Sequence, residues 1–295
     1  MIEPAHELLS RRALAFIGSG TMAEAMIQVL LNKECIAPAH ICASGPRPER
    51  AHELEQRYGV IGTTDNREAA EAADIVVLSI KPQVVPVVLD ELQGLVFPKG
   101  LVLSIVAGVD IETITTGLHH PAVVRAMPNT PAQIGEGMTV WTASQVVTET
   151  QRGQARAILE AMGREIYVED EDMLDMATAV SGTGPTYVFM MMEALTDAAV
   201  HLGFSRRVAA ELVTQTVLGS ARFARQSDRH LAELRNMVTS PGGTSAEAIY
   251  QLEKGGLRTV LSKAVWAAYQ KSRLLGEAHQ TPGDPNGLPT PGGEE

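Results

Sequence analysis

The first half of the chain alternates two hydrophobic periods. Apolar runs of strand length occupy residues 13–18 (ALAFIG), 39–44 (AHICAS), 74–80 (DIVVLSI), 100–105 (GLVLSI) and 122–127 (AVVRAM). Between most of them apolar positions recur at helical spacing, as at Met22, Met26, Val29 and Leu30, and again from Leu54 to Tyr58. Strands alternating with helices predict a parallel sheet with right-handed crossovers. The runs are nearly continuous Val, Ile, Leu and Ala, as suits strands covered on both faces. A helix over about 148–162 and a strand over about 164–169 complete this half.

The pattern changes near residue 170. After Glu169-Asp170-Glu171-Asp172 no further strand is predicted, and apolar residues recur at helical spacing over 184–202, 206–224 and 257–275. In the last of these Leu257, Val260, Leu261, Ala264, Val265 and Ala268 share one face. The expected fold class is α/β then all-α. An extension of residues 1–12 precedes a doubly wound, mostly parallel sheet domain over 13–169, and a helical domain follows over 170–277. The apolar helical faces exceed what so few helices bury alone, which predicts a homodimer or a higher oligomer built from dimers. From Gln280 onward the chain is rich in Pro and Gly, so residues 278–295 are expected to form a disordered tail.

Composition narrows the function. A length of 295 residues accommodates two ordinary domains, and 45% hydrophobic with 20% charged residues excludes wholesale disorder. A net charge of −11 repels phosphate backbones, so no nucleic-acid partner is expected. The apolar runs fall short of the roughly 18 to 20 residues that span a bilayer, so no membrane partner is expected either. Residues 1–12 mix Glu3 and Glu7 with Arg11 and Arg12 and lack the layout of a signal peptide. Cys35 and Cys42 cannot build a disulfide framework and read as reduced thiols, which suggests a cytoplasmic protein.

The candidate chemistry begins at Gly18-Ser19-Gly20-Thr21-Met22-Ala23, which fits G-x-G-x-x-A between a predicted strand and a predicted helix. The first glycine permits a tight turn, the second lets backbone approach a pyrophosphate, and Ala23 lets helix and strand pack closely. The helix dipole and free N–H groups then favour the anion. The bland alternative is a plain structural turn. The second strand ends in Ala43-Ser44-Gly45-Pro46-Arg47, without the acid that would bind a ribose 2′-hydroxyl and repel a 2′-phosphate. That favours NADPH, with NADH possible. Ser44, the Gly45 amide, and Arg47 or Arg50 are the candidate phosphate contacts, unless the arginines merely face solvent.

Three further loops fall at the carboxyl edge of the predicted sheet, where such folds bind ligands. Lys81 and Pro82 follow one strand, and Lys81 would project at the cofactor's ribose or nicotinamide, or simply into solvent. Val106-Ala107-Gly108-Val109 offers small residues beside a flat ring. Met127-Pro128-Asn129-Thr130-Pro131 is stiffened by two prolines that would fix Asn129, or form a rigid turn.

In the helical half Ser181-Gly182-Thr183-Gly184-Pro185 opens a long apolar helix, and its glycines allow close approach of a ligand or another helix. In Thr239-Ser240-Pro241-Gly242-Gly243-Thr244-Ser245-Ala246-Glu247, Thr244 and Glu247 read as a capping box that starts a helix at Thr244. The bare amides of the glycine pair and the Ser240 and Ser245 hydroxyls would suit a small carboxylate. A well-capped surface helix is the alternative. The histidines are adjacent or isolated, so no metal site is expected.

Taken in order, FIGSGTMAEA, SIKPQ, VRAMPNTPA, AVSGTGPTYVF, VTSPGGTSAEAI and LEKGGLRTVL resemble the pyrroline-5-carboxylate reductase family over about residues 13–277. The resemblance implies a Rossmann domain followed by a helical dimerisation domain, and NAD(P)H-dependent reduction of L-1-pyrroline-5-carboxylate to L-proline. It implies that the partner subunit's helical domain completes the active site. It places the cofactor pyrophosphate on Gly18, Ser19, Gly20, Thr21 and Met22, and the adenosine ribose phosphate near Ser44 and Asn66. Lys81, Pro82, Ala107, Met127 and Asn129 fall on the nicotinamide side, and Lys81 is a candidate catalytic residue with Ser245. The substrate loop falls on Ser240, Gly242, Gly243, Thr244 and Ser245, with the Ser245 hydroxyl on the ring nitrogen.

The chain departs from the family where Ser245 replaces the commoner Thr and Asp228 replaces a Glu found in some relatives. A β-hydroxyacid dehydrogenase is the nearest rival, but it needs a Lys on the helix after the glycine loop, and Thr186 to Glu193 contains none. A non-catalytic nucleotide-binding protein is the second rival, and an intact substrate loop argues against it.

Overall fold

The computed structural model describes residues 5–280. Eight strands form one sheet in the order β3-β2-β1-β4-β5-β6-β7-β8. They are β1 (Leu14–Ile17), β2 (Ile41–Ser44), β3 (Ile61–Thr63), β4 (Ile75–Leu78), β5 (Leu101–Ser104), β6 (Val123–Met127), β7 (Gly137–Ala143) and β8 (Gly163–Tyr167). β1 to β6 pair in parallel, β7 runs antiparallel to β6, and β8 pairs in parallel with β7. The order 3-2-1-4-5-6 is that of a doubly wound dinucleotide fold, whose switch point lies between β1 and β4.

Helix α1 (Ala5–Leu9) precedes the sheet, and α2 (Thr21–Asn32), α3 (Pro48–Tyr58), α4 (Asn66–Glu71), α5 (Val85–Leu92), α6 (Ile111–Leu118) and α7 (Glu149–Ala161) join its strands. Two apolar cores result, one on each face of the sheet. Phe16, Met26, Leu54 and Trp141 lie in one, and Ile17, Val76, Leu89 and Leu118 in the other. The central strands are buried along their whole length, which explains their unbroken aliphatic character. Leu9 of α1 is fully buried, so the expected N-terminal extension contributes to the core.

Two strands were not expected. β3 has only three residues, and one of them is Gly62. β7 breaks the strand–helix alternation, because only the short 3₁₀ segment Thr130–Ile134 separates it from β6. The expected tail also needs correction at its start. The last helix reaches Gln280, so residues 278–280 are helical, and the rest of the expected tail lies outside the described residues.

The chain divides into two compact units, and the first of them continues past the expected boundary at residue 170. The first runs to Gly182 and regains the chain from Tyr269, and the second is Thr183–Ala268. The physical reason lies in Arg125 of β6, whose side chain is buried. It pairs with Glu171 at 2.9 Å and with Asp175 of α8 (Met173–Ala177) at 3.4 Å. Asp175 Oδ1 also accepts from Ser272 Oγ at 2.8 Å. The acidic run that looked like a boundary is therefore stitched to the sheet.

The second unit holds α9 (Gly184–His201), α10 (Arg206–Gln226), α11 (Leu231–Met237), α12 (Thr244–Lys254) and the first half of α13 (Leu257–Gln280). Ala209 and Val213 are its only buried apolar residues. Phe189, Leu195, Leu212, Phe223, Val260 and Trp266 stay exposed. Among the described residues no helix is long and apolar enough to cross a membrane.

Candidate active site

The turn after β1 is held open by geometry that only glycine tolerates. Gly18 sits at φ +100°, and a Cβ there would stand 2.6 Å from the Ser79 carbonyl oxygen at the end of β4. The Gly18 amide donates to the Ser44 carbonyl at 3.0 Å, which locks the turn between β2 and β4. Gly20 is the N-cap of α2 and uses no side-chain cap, and a Cβ there would meet nothing within 4 Å. The amides of Thr21 and Met22 are among the orphan donors at the positive end of α2. Ala23 is fully buried behind them. This cradle fits a pyrophosphate on backbone alone.

The end of β2 differs from the sequence reading. The Ser44 hydroxyl is fully buried and donates to Asn66 Oδ1 at 2.6 Å, and Asn66 Nδ2 in turn donates to Glu91 at 2.8 Å. The Gly45 amide is already bonded to the Thr63 carbonyl at 3.2 Å. Arg50 is likewise engaged: its Nε donates to the Ser19 carbonyl at 3.0 Å, and its other nitrogens pair with Glu24 and Glu53. Arg47, N-cap of α3, remains exposed. Ser19, Gly20, Thr21, Arg47 and Arg50 together line a cleft of about 350 Å³. Burial works to raise the pKa of Glu24. Hydrogen bonds from Arg50 and Tyr58, with the charges of Arg50 and Arg57, outweigh it and hold the carboxyl below its usual value.

The remaining first-unit candidates sit at the carboxyl edge of the sheet. Lys81 is exposed just before the 3₁₀ segment Pro82–Val84, with Pro82 at its first position. Ala107 is half-buried beside Gly108, against whose backbone Leu275 of α13 packs. Asn129 Oδ1 accepts from the Met138 amide at 2.9 Å, and its Nδ2 donates to the Ser181 carbonyl at 3.1 Å. Its amide therefore holds the loop in shape from both ends. Met127 lies against Gly182, where an added Cβ would come within 3.0 Å of the Met127 methyl. Sequence reasoning missed Arg125, since nothing local connects it to acids 46 and 50 residues away.

In the second unit Ser240, Gly242, Gly243, Thr244 and Ser245 come together in one turn leading into α12. Gly242 takes φ +68°, and the Gly243 amide donates to the Ser240 carbonyl at 3.0 Å. A side chain at Gly243 would collide with Ser240 Oγ. The expected capping box does not form. Gly243 is the N-cap, no side chain caps the helix, and Thr244 is already its first helical residue. Gly243 takes the cap position one residue before Thr244, and its own amide is already spent on the turn. The Thr244 and Ser245 amides are thus among the orphan donors of the first turn. Asp228 lies in the loop between α10 and α11.

Among the described residues no group of three or more His, Cys, Asp or Glu is placed to hold a metal ion. His120 is buried on the Gly100 carbonyl at 3.1 Å, away from these loops. Burial also pushes the Cys42 thiol up to about 11, with the Glu68 charge acting the same way.

Comparison with known proteins gives a consistent answer. A family model described as pyrroline-5-carboxylate reductase dimerisation matches residues 171–275, and one described as NADP oxidoreductase coenzyme F420-dependent matches residues 13–108. The chain is 42% identical over 264 residues to pyrroline-5-carboxylate reductase of Synechocystis, covering 90% of this chain and 98% of that one. It is 39% identical to the enzyme of the same name from Pseudomonas aeruginosa, covering 91% and 98%. The crystal structure of Plasmodium falciparum pyrroline carboxylate reductase with NADP bound superposes with a TM-score of 0.84 at 30% identity, covering 91% and 99%. The Coxiella burnetii pyrroline-5-carboxylate reductase gives 0.82 at 38% identity, covering 90% and 98%.

Proposed function

The chain belongs to the pyrroline-5-carboxylate reductase family, and from that premise we propose how its own residues share the reaction. The protein is an NAD(P)H-dependent oxidoreductase that reduces the cyclic imine L-1-pyrroline-5-carboxylate to L-proline. Bound at the glycine turn, NAD(P)H supplies a hydride equivalent from its nicotinamide ring. The observation that carries the assignment of that site is Gly18 at φ +100° pressed on the Ser79 carbonyl, with open space above Gly20.

Gly18, Ser19, Gly20, Thr21 and Met22 hold the pyrophosphate through backbone amides and the helix dipole. Arg47, exposed in the adjoining cleft, faces the adenosine ribose and favours NADPH over NADH, while Ser44 and Asn66 are bonded to each other at the end of β2. Lys81, Pro82, Ala107, Met127 and Asn129 border the nicotinamide side. In the substrate turn the amides following Gly243 and the Ser240 hydroxyl receive the carboxylate, and Ser245 Oγ meets the ring nitrogen.

The protonated imine is already electrophilic, so the hydride adds to carbon and the nitrogen keeps its proton. The chain's task is to align the two partners, which is worth several orders of magnitude in rate by positioning alone. The exposed apolar faces of the second unit support a homodimer in which one copy's substrate turn serves its partner's cofactor site. The protein acts in the cytoplasm in this reading. The direct test is oxidation of NADPH that depends on added pyrroline-5-carboxylate. A rate equal to that without imine would overturn the assignment of the reaction.

A further inference from the structure

The cleft beside the glycine turn contains more negative than positive side chains. Glu24, Glu49 and Glu53 face Arg47 and Arg50. Two of these acids hold Arg50 directly. Its Nη1 donates to Glu53 at 2.7 Å and its Nη2 pairs with Glu24, while Nε is fixed on the Ser19 carbonyl at 3.0 Å. Three of the five donors of this guanidinium are therefore committed. The two acids differ in setting. The Glu53 side chain is 46% exposed, but that of Glu24 is 17% exposed and is clamped by the Tyr58 hydroxyl at 2.8 Å and by Arg57. A fixed, partly buried charge is screened by salt far less than an exposed one.

We propose that Glu24 is a specificity-determining residue for the cofactor: by neutralising Arg50 it limits how strongly this cleft attracts the ribose 2′-phosphate. The inference rests on the reading of the cleft as the adenosine end of the cofactor site. NADPH and NADH differ only in the 2′-phosphate, a dianion with three strong acceptor oxygens. A dianion arriving beside Arg50 meets an ion pair with Glu24 in place of a lone guanidinium, which weakens the attraction. This acts against the phosphate and not against the unphosphorylated ribose. An amide at this position keeps the shape and the acceptor for Tyr58 but removes the charge. Arg47, exposed at the rim, then acts together with Arg50 instead of alone.

The test compares full-length wild-type enzyme with Glu24→Gln and, as an apolar isostere, Glu24→Met. The ratio of kcat/KM for NADPH to that for NADH is measured with pyrroline-5-carboxylate. Competitive inhibition by adenosine 2′,5′-bisphosphate and by AMP is measured in parallel. The expected result is a rise of about tenfold in the NADPH-to-NADH ratio, equivalent to about 1.4 kcal/mol. It should arise from a lower KM for NADPH, with tighter bisphosphate inhibition and unchanged AMP inhibition. A ratio that is unchanged or lower in a variant with normal AMP inhibition overturns the role of Glu24 while leaving the cleft's assignment in place. Failure of the bisphosphate to compete with NADPH in the wild-type enzyme overturns the assignment of the cleft, and this inference with it.

Discussion

Asn129 and Ser181 are joined across 52 residues of sequence, side-chain amide to backbone carbonyl, at 3.1 Å. The same Asn129 side chain accepts from the Met138 amide at 2.9 Å. One residue thus ties the loop after β6 to the start of β7 and to the segment that leads out of the first unit. Replacing it by alanine leaves a carbonyl and an amide without partners, at a cost of about 1 to 3 kcal/mol. Asn129→Ala is expected to lower the urea midpoint correspondingly. Asn129→Asp keeps the acceptor for Met138 but sets a carboxylate oxygen against the Ser181 carbonyl, so it should not recover the loss.

Arg125 should be more costly to lose. Its side chain is 6% exposed and is shared by Glu171 and Asp175. Arg125→Met fills the same space but leaves two half-buried carboxylates without their cation, and breaking such a pair typically costs about 3 to 5 kcal/mol. The check is equilibrium denaturation of the purified variant. A loss under about 1 kcal/mol would show that the cluster is no more than a surface ion pair in effect.

His120 makes stability depend on pH on the acid side of neutrality. Burial lowers its pKa, and the hydrogen bond to the Gly100 carbonyl only partly opposes that. The folded state thus binds a proton less readily than the unfolded chain does. This contribution is complete above the unfolded value near 6.5 and declines as pH falls through the window between that value and the lowered folded one. The denaturation midpoint should drop on going from neutral pH into that window. His120→Asn, which cannot charge, should show a smaller drop over the same range, although its stability at neutral pH is lower.

The parts of the fold that could be read from sequence are those with a local signal. β1, β4 and β5 announce themselves by unbroken aliphatic runs because both faces are covered. β3 carries too few residues for a period, and β7 alternates Thr139, Val140, Trp141 and Thr142 without a helix before it. The T-x-x-E pattern at Thr244 reads as a capping box, but the cap position falls one residue earlier, on Gly243. The same logic holds at Thr148 and Gln151, where both bonds of the box are present. At the candidate site, the glycine turn was legible because its spacing encodes backbone geometry. The Ser44–Asn66–Glu91 chain, the Glu24–Arg50 pair and the Arg125 cluster were not, because each joins charges or amides distant in sequence.

Ser245 tests the substrate turn. It is the second residue of α12 and takes no part in capping, so its hydroxyl is free to serve the substrate without a structural penalty on removal. Ser245→Ala should cost one hydrogen bond to a charged group, roughly 1.5 to 3 kcal/mol. That is about a ten- to hundredfold loss in kcat/KM for the imine. NADPH affinity and melting temperature should hold, and Ser245→Thr should retain activity. Wild-type efficiency in a folded Ser245→Ala enzyme would leave substrate recognition to the backbone amides alone.

The most direct measurement follows the transferred atom. The enzyme is supplied with pyrroline-5-carboxylate and with NADPH deuterated at the transferable nicotinamide position, and the product is analysed by mass spectrometry. The account predicts L-proline carrying the deuterium on the ring carbon that formed the C=N bond, in step with the NADPH consumed. Proline without the label, or consumption of NADPH without proline, would contradict it.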